Sequence, residues 1–180
     1  MQSEMSKRRI VVVPYDPRWA DLFVQERAAI VQACECRVSA VHHIGSTAVP
    51  GLAAKPIIDI LAILREPEDG VLCIKPLGRL GYRFRGANGI AGRYYFTKGN
   101  PRSRHLHMYP SDHPEVGRHL RLRDYLRSDP DAAAAYADLK LRLAARFAED
   151  PQAYATAKDE FCARIDGLPG GFRQGTDRPK

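Results

Sequence analysis

The sequence predicts an α/β fold, with a small mixed β-sheet, flanking helices and a C-terminal bundle of about three helices. Short β-branched or alternating runs occupy the first 110 residues, and residues 57–64 form the most apolar of them. From Asp112 onward the apolar residues recur at helical spacing. An aspartate followed by a proline stands at positions 16, 129 and 150, and this pair is typical of a helix start.

The first half of the chain is predicted to supply one mixed sheet and two helices. Strands are expected at residues 10–13, 38–44, 57–64, 82–85, 92–98 and 104–109. Asp16 is the expected N-cap of a helix that has Pro17 in its first position and runs to about Ala33. A second helix is expected from the loop at residues 66–70 to about Leu80, where Gly81 stops it.

The domain organisation is predicted to be a single structural unit with a tail. Residues 1–110 are the expected α/β core, and residues 111–166 are the expected C-terminal helices packed on it. Residues 167–180 are rich in glycine and contain few apolar side chains. Such a segment cannot bury a core, so we expect a flexible tail.

Charge and composition limit the classes of partner. The formal net charge of +7 suits phosphorylated ligands. The arginines are scattered rather than gathered in one basic block, so nucleic acid is not an expected partner. No apolar run approaches the roughly 20 residues that cross a bilayer, so we expect no membrane partner and a cytoplasmic protein. The four cysteines lack the spacing of a redox or zinc motif and are expected to be reduced.

Asp59 is the anomaly of the sequence, because it is a carboxylate inside an apolar strand. An unpaired buried charge costs several kcal/mol, so Asp59 needs a partner, a metal or a strand end that faces a cleft. Gly45 and Ser46 form a turn after the preceding strand. Glycine lets a phosphate approach the backbone, and a serine hydroxyl can donate to a phosphate oxygen. The arrangement predicts a site where a phosphate and a cation lie opposite each other.

Three histidines are further candidate ligands for a metal. Alternation along residues 104–109 places His105 and His107 on one face of a strand, and His43 precedes the Gly-Ser turn. We expect His43, His105 and His107 to converge with Asp59 on adjacent strands. The alternative for any single histidine is a hydrogen-bonded residue of the core or surface.

Basic side chains near the turn are candidate ligands for phosphate. Lys55 lies between the turn and Asp59, and Arg93 and Lys98 come from the strand before the histidines. Arg93 is expected to clamp a phosphate or a substrate carboxylate with both arms of its guanidinium. Arg123, on the first C-terminal helix, is expected to close the cleft over the ligand. The alternative for each of these residues is a solvated surface charge.

The run HIGSTAVPGLAAKPIIDI, with PYDPRW before it and RHLHMYP and RDYLR after it, resembles the GrpB family. That family is placed in the polymerase-beta-like nucleotidyltransferase superfamily, and a GrpB-like domain also occurs fused to dephospho-CoA kinase. The resemblance covers most of the chain. It implies that Gly45, Ser46 and Thr47 hold the triphosphate of ATP and that Asp59 binds a divalent metal. Twelve residues separate Ser46 from Asp59, which is a spacing that the superfamily uses.

The chain departs from the superfamily at the second acid. Active members carry two acids two residues apart on this strand, and here the second position is Leu61. A third acid comes from a neighbouring strand in the superfamily, but the candidate strand here carries His105 and His107. The resemblance implies magnesium or manganese as the metal. One carboxylate with two imidazoles suits manganese, zinc or iron better than magnesium.

The expected function is transfer of a nucleotidyl group from ATP to a small-molecule acceptor, or adenylation of an acceptor for ligation. Asp59, His107 and Arg93 are the expected catalytic residues. One alternative is a catalytically degenerate module that binds a nucleotide or a CoA-related ligand, and Leu61 favours it. Another is a metal-dependent hydrolase that uses the histidines. The acceptor and the oligomeric state are not determined by the sequence.

Overall fold

A computed structural model describes residues 9–167, and the five strands in this range form one mixed sheet in the order β1-β2-β5-β4-β3. The strands are β1 (Val38–Ile44), β2 (Ile58–Leu64), β3 (Arg83–Phe84), β4 (Tyr94–Lys98) and β5 (Arg104–Pro110). The helices are α1 (Arg18–Cys34), α2 (Asp69–Arg79), α3 (Pro114–Ser128), α4 (Pro130–Arg146) and α5 (Pro151–Asp166). The predicted α/β class, with two helices beside the sheet and three after it, is confirmed.

The pairing of the strands explains why the sheet is mixed. β1 and β2 are antiparallel neighbours, and β4 is antiparallel to both β3 and β5. β2 and β5 run parallel in the centre of the sheet, and Asp59 pairs there with His105. Since α2, β3 and β4 lie between them in the chain, the long connection that a parallel pair requires is present.

The sheet has two different faces because side chains alternate along each strand. We call the face that carries Asp59 and His105 the cavity face, and the face that carries Ile60 and Leu106 the core face. Helices α1 and α2 cover the core face with a large apolar cluster, to which Trp19, Ile30, Cys34, Cys73 and Leu77 contribute. Helix α3 packs on the cavity face through Val116 and Leu120, and α4 and α5 pack around the loop before β2.

Aspartate caps begin two of the three C-terminal helices as predicted. The side chain of Asp129 accepts the Ala132 N–H at 2.9 Å, and that of Asp150 accepts the Ala153 N–H at 3.0 Å. Helix α3 is capped by a histidine instead, because His113 Nδ1 accepts the Glu115 N–H at 3.2 Å. At the first Asp-Pro pair, the Asp16 carboxylate accepts the Arg18 N–H at 3.0 Å. Helix α1 begins at Arg18, so Pro17 lies just before the helix.

The prediction of a strand at residues 10–13 is wrong. Only Val13 makes a β-bridge, to Ala54, whereas the Ile10 N–H bonds to the carbonyl of Ala148 beyond α4. Ile10 packs with Leu143 and Tyr154, so this segment joins the C-terminal helices to the loop before β2 rather than extending the sheet. The division at residue 110 stays a prediction, and the expected tail, apart from Gly167, lies outside the described residues.

Two expectations from composition can be compared with the structure. Within residues 9–167, no helix is both long enough and apolar enough to span a bilayer. The four cysteines are free thiols, and Cys34, Cys73 and Cys162 are buried.

Candidate active site

The Gly-Ser turn and Asp59 touch each other. Gly45 has φ +69°, and a methyl group built on its Cα would lie 2.7 Å from Asp59 Oδ2. Glycine is therefore required here twice, by the positive φ and by the close approach of the carboxylate. A 3₁₀ turn over Ser46–Ala48 follows directly. The first N–H groups of such a turn have no partner inside it, so they are available to an anion.

Asp59, His105 and His107 form a compact group of potential metal ligands on β2 and β5. One oxygen or nitrogen from each residue lies within 4.8 Å of the corresponding atoms of the other two. Asp59 Oδ1 is 2.9 Å from His105 Nδ1. His105 Nε2 and His107 Nδ1 are buried and have no hydrogen-bond partner among residues 9–167. Buried nitrogen atoms of this kind are suited to a cation, because an unsatisfied buried polar atom is otherwise destabilising.

The charge of Asp59 determines the tautomer of His105. Burial alone would raise the pKa of Asp59, but the hydrogen bond from His105 and the charges of nearby His and Lys side chains lower that pKa to about 2. Asp59 is therefore an anion at neutral pH, and a carboxylate only accepts hydrogen bonds. His105 Nδ1 must then carry the proton that it donates to Asp59, which leaves Nε2 with a free lone pair.

A cavity of about 330 Å³ extends from this group to the C-terminal helices. Gly45, Ser46, Asp59, His105 and His107 line it. Lys55, Lys140 and Lys158 line it as well, and they come from the loop before β2, from α4 and from α5. The cavity thus brings a carboxylate, two imidazoles, the Gly-Ser turn and three amines around one space, and Lys158 is close enough to Asp59 to help lower its pKa.

Burial makes two of the three amines weak bases. Burial and the neighbouring Lys158 lower the pKa of Lys55 to about 8, and Lys55 Nζ stands 4.0 Å over the Tyr154 ring. The same two causes lower the pKa of Lys140 to about 7. Lys140 is 2% exposed, donates to the Ala53 carbonyl and lies over the Tyr136 ring. An anion in the cavity would supply the counter-charge that these amines lack.

His43 does not join Asp59, although the sequence analysis grouped them. On β1 it is Ile44 that pairs with Asp59, so His43 projects from the core face. Its Nε2 is 2.9 Å from Thr47 Oγ1, and its ring stacks on Phe23 at 4.7 Å. Burial lowers the pKa of His43 to about 4. His43 is therefore a neutral residue of the core at neutral pH, and the structure gives it no contact with the metal group.

Thr47 and Arg123 support the turn from either side. Thr47 Oγ1 donates to the Ile57 carbonyl at 3.3 Å and is also the partner of His43, so its hydroxyl is already engaged. Arg123 lines the cavity, donates to the His43 carbonyl at 3.1 Å and pairs with Asp124. These contacts position the turn, whereas the sequence analysis expected both side chains to bind phosphate.

Arg93 and Lys98 are engaged with protein groups, although both were expected to bind a ligand in the cavity. Arg93 donates to the carbonyls of Ala87 and Asn88 at 2.9 and 2.5 Å, so it braces the loop before β4. Lys98 projects from the core face, and its Nζ lies 2.6 Å from Glu26 Oε1. Neither residue lines the cavity. A strand pattern alone could not reveal that the acceptors of both side chains come from loops and helices elsewhere in the chain.

Several cavity residues were not predicted from the sequence, among them His119, Lys140 and Lys158. His119 comes from α3, and its ring centroid is 5.4 Å from that of His107. All three residues lie on amphipathic helices, where a cation is ordinarily solvated. The one signal for Lys140 was its position four residues after Tyr136, which places both side chains on the same helix face. Leu61 is fully buried beside Ile44, Tyr109 and Val116, so its position beside the site is filled by the apolar core.

Comparisons with known proteins give a consistent result. The sequence profile of the GrpB protein family matches residues 9–167. The Bacillus subtilis protein YqkA is 42% identical over 86% of this chain, which spans 46% of the length of YqkA. The crystal structure of the conserved protein GrpB from Enterococcus faecalis superposes with a TM-score of 0.82 and 40% identity. That match covers 87% of this chain and 94% of the E. faecalis chain.

A more distant likeness concerns the fold alone. A crystal structure of the Cid1 poly(U) polymerase superposes with a TM-score of 0.51 and 12% identity, over 75% of this chain and 43% of that chain. The α/β architecture is therefore nucleotidyltransferase-like.

Proposed function

This chain belongs to the GrpB family, and we propose that it binds a nucleoside triphosphate, with ATP as the expected one, and transfers its nucleotidyl group to a small-molecule acceptor. One observation carries the proposal. A single cavity is lined by the Asp59–imidazole group, the Gly-Ser turn and three amines. A triphosphate needs both kinds of group, because a cation must neutralise the reacting phosphate and basic groups must hold the remainder.

The three lysines would bind the β- and γ-phosphates. Lys55 and Lys140 are desolvated, and their pKa values of about 8 and 7 show that their charged forms are disfavoured by burial. A phosphate beside them reverses this, since an opposite charge favours the ammonium form. Binding of the nucleotide at pH 8 would therefore take up protons at Lys55 and Lys140.

The Asp59 group fits a divalent ion, on the evidence of its unpartnered nitrogens and its mixed donor set. Asp59, His105 and His107 would hold the ion, which would neutralise charge on the reacting phosphate. In the empty protein the Asp59–His105 hydrogen bond fixes the imidazole ring, and an ion held between Asp59 and His105 Nδ1 would replace that hydrogen bond and release its proton. One carboxylate with two imidazoles favours manganese, zinc or iron over magnesium.

The proposed transfer is balanced by the release of pyrophosphate. An oxygen of the acceptor forms a bond to the α-phosphorus, and the bond between the α-phosphorus and the bridging oxygen to the β-phosphate breaks. Where that acceptor oxygen belongs to a hydroxyl group, its proton passes to solvent. Lys55 and Lys140 would stabilise the charge that accumulates on the departing pyrophosphate. If the acceptor oxygen belongs to a carboxylate, the product is an acyl adenylate, which is the activated form for a ligation.

A second candidate is a binding module without turnover. Leu61 favours it, because the position of the second acid is fully buried in an apolar cluster and offers no ligand. In that case the cavity retains nucleotide binding while the chemistry is lost. The two candidates share the ligand site and differ only in product formation.

Calorimetric titration of ATP tests both candidates. We expect binding that strengthens with Mn²⁺ or Mg²⁺ and weakens at least tenfold in Asp59→Asn, while Asp138→Asn, which removes an exposed carboxylate of α4, leaves it unchanged. Pyrophosphate release with a panel of acceptors then distinguishes the enzyme from the module. Absence of ATP binding under every metal condition would refute both.

A further inference from the structure

A second cavity, of about 350 Å³, lies at the opposite end of the sheet. Three arginines line it, together with Gly81, Thr97 and Asn100. They are Arg83 on β3, Arg85 just after β3, and Arg102 in the turn between β4 and β5. Among residues 9–167, no acidic side chain lines this cavity.

The strand register places Arg83 and Arg85 on the cavity face. Arg83 pairs with Thr97, which in turn pairs with His105. Arg85 follows two residues later, and its N–H bonds to the Tyr95 carbonyl, so its side chain projects from the same face. The backbone thus brings both guanidinium groups above one end of the sheet, where Arg102 approaches from the adjacent turn.

The three guanidinium groups have no carboxylate partner within residues 9–167. Arg85 Nε donates to Thr97 Oγ1 at 3.0 Å, and Arg102 interacts with the Tyr95 hydroxyl. Arg83 and Arg85 are exposed, and Arg102 is half-buried. By contrast, Arg104 of β5 is paired with Glu26 at 3.3 Å on the core face. Three positive charges around one concave surface, with no carboxylate beside them among the described residues, favour an anionic ligand.

The arginine cavity continues the row of residues that starts at Asp59. In register across the sheet stand Asp59 on β2, His105 on β5, Thr97 on β4 and Arg83 on β3. Adjacent strands lie about 4.8 Å apart, so about 10 Å separate the positions of Asp59 and Thr97. A small molecule of ordinary length can span this distance. The arginine cavity shares no lining residue with the cavity that contains the lysines, so it would stay free when a triphosphate is bound there.

We propose that Arg83, Arg85 and Arg102 recognise a phosphate monoester group on the acceptor and orient its reactive oxygen toward Asp59 and His105. The proposal rests on the proposed function, since it assigns the acceptor class for the same active site. A phosphate monoester suits this cavity better than a carboxylate, because its three terminal oxygens and double charge can engage several guanidinium groups at once. The competing explanation is that the arginines only protect the edge strand β3 from pairing with other chains.

Titration of ribose 5-phosphate, with inorganic phosphate and ribose as comparison probes, tests the proposal. In the presence of saturating ATP, we expect ribose 5-phosphate and inorganic phosphate to bind and ribose not to bind. The double variant Arg83→Gln/Arg102→Gln should bind both anions at least tenfold more weakly. Arg142→Gln, which removes an exposed arginine of α4 outside both cavities, should leave the affinities for both anions unchanged.

A second set of titrations separates this proposal from the proposed function. ATP binding should be unaltered in the double arginine variant and weakened in Lys158→Met, whereas binding of ribose 5-phosphate should be unaltered in Lys158→Met. Equal affinity of the anions for the wild type and the double variant would overturn the arginine site even if ATP binds. A short single-stranded RNA that binds tighter than ribose 5-phosphate, and loses that binding in the double variant, would overturn the small-molecule assignment.

Discussion

On the core face of the sheet, the buried carboxylate of Glu26 accepts hydrogen bonds from Lys98 at 2.6 Å and Arg104 at 3.3 Å. On the cavity face, His105 and His107 each have a buried ring nitrogen without a partner. The two faces therefore differ in how they treat buried polar atoms. Paired groups hold the fold together, whereas groups without partners raise the energy of the empty protein and are available to a ligand.

The positions of the buried polar atoms that lack a hydrogen-bond partner support this contrast. Five buried side-chain nitrogen or oxygen atoms within residues 9–167 have no hydrogen-bond partner. Four of them, on His105, His107, Tyr109 and His119, lie on the cavity face or on α3, which covers it. The fifth is the hydroxyl of Tyr82. Stability and ligand binding are thus assigned largely to opposite sides of the same strands.

The largest effect is expected where a paired charge is broken. Glu26→Gln leaves Lys98 and Arg104 without a counter-charge, and the loss of one partner from a buried pair costs about 3 kcal/mol of unfolding free energy. The measurement is urea unfolding at pH 7, with Glu149→Gln as the control because that carboxylate is exposed. ATP affinity should not change. A loss smaller than 1 kcal/mol would show that the core-face pair does not stabilise the fold.

The sequence predicted the strands better than the partners of their side chains. Period-two alternation placed His105 and His107 on one face, and the structure agrees. The same rule could not say which face His43 shares, because that depends on Ile44 pairing with Asp59 across β1 and β2. Lys98 and Glu26 are 72 residues apart in the chain, so no local pattern connects them. Local chemistry thus predicts elements and turns, while long-range register decides which polar groups meet.

An effect of intermediate size is expected in the pH dependence of the unfolding free energy, through His43. Burial holds its pKa at about 4 in the folded protein, below the ordinary 6.5, so the folded state prefers the neutral ring. This stabilisation is complete above pH 6.5 and is lost as the pH falls toward 4, because the unfolded chain takes up the proton first. Between pH 6.5 and 5 the wild type should lose about 2 kcal/mol from this group alone.

His43→Gln isolates that contribution, since His107 and His119 titrate in the same direction and remain in both proteins. The variant should be less stable than the wild type at pH 7, and the difference should shrink as the pH falls to 5. Urea unfolding at four pH values measures it. A difference in unfolding free energy that does not change with pH would show that other groups cause the pH dependence, and it would contradict the core role of His43.

The smallest expected effect has the opposite sign and lies in the cavity. Lys140→Met removes an amine that burial makes unfavourable, and it also removes the hydrogen bond to the Ala53 carbonyl. The net result at pH 7 should be a gain of about 1 kcal/mol in unfolding free energy, because desolvation outweighs one hydrogen bond. The folded pKa of about 7 lies below the ordinary 10.5, so the wild type gains stability as the pH rises above 7 and the advantage of the variant disappears by about pH 8.

ATP binding should weaken in the same variant, since the amine would lie beside the bound phosphates in the proposed complex. Lys75→Met, which removes an exposed lysine of α2, should change neither property. If Lys140 serves ligand binding rather than stability, its replacement should make the protein more stable and weaken its affinity for the ligand. If Lys140→Met instead destabilises the protein and leaves ATP affinity intact, Lys140 belongs with Glu26 and His43 among the structural residues, and the cavity loses one of its three anion-binding groups.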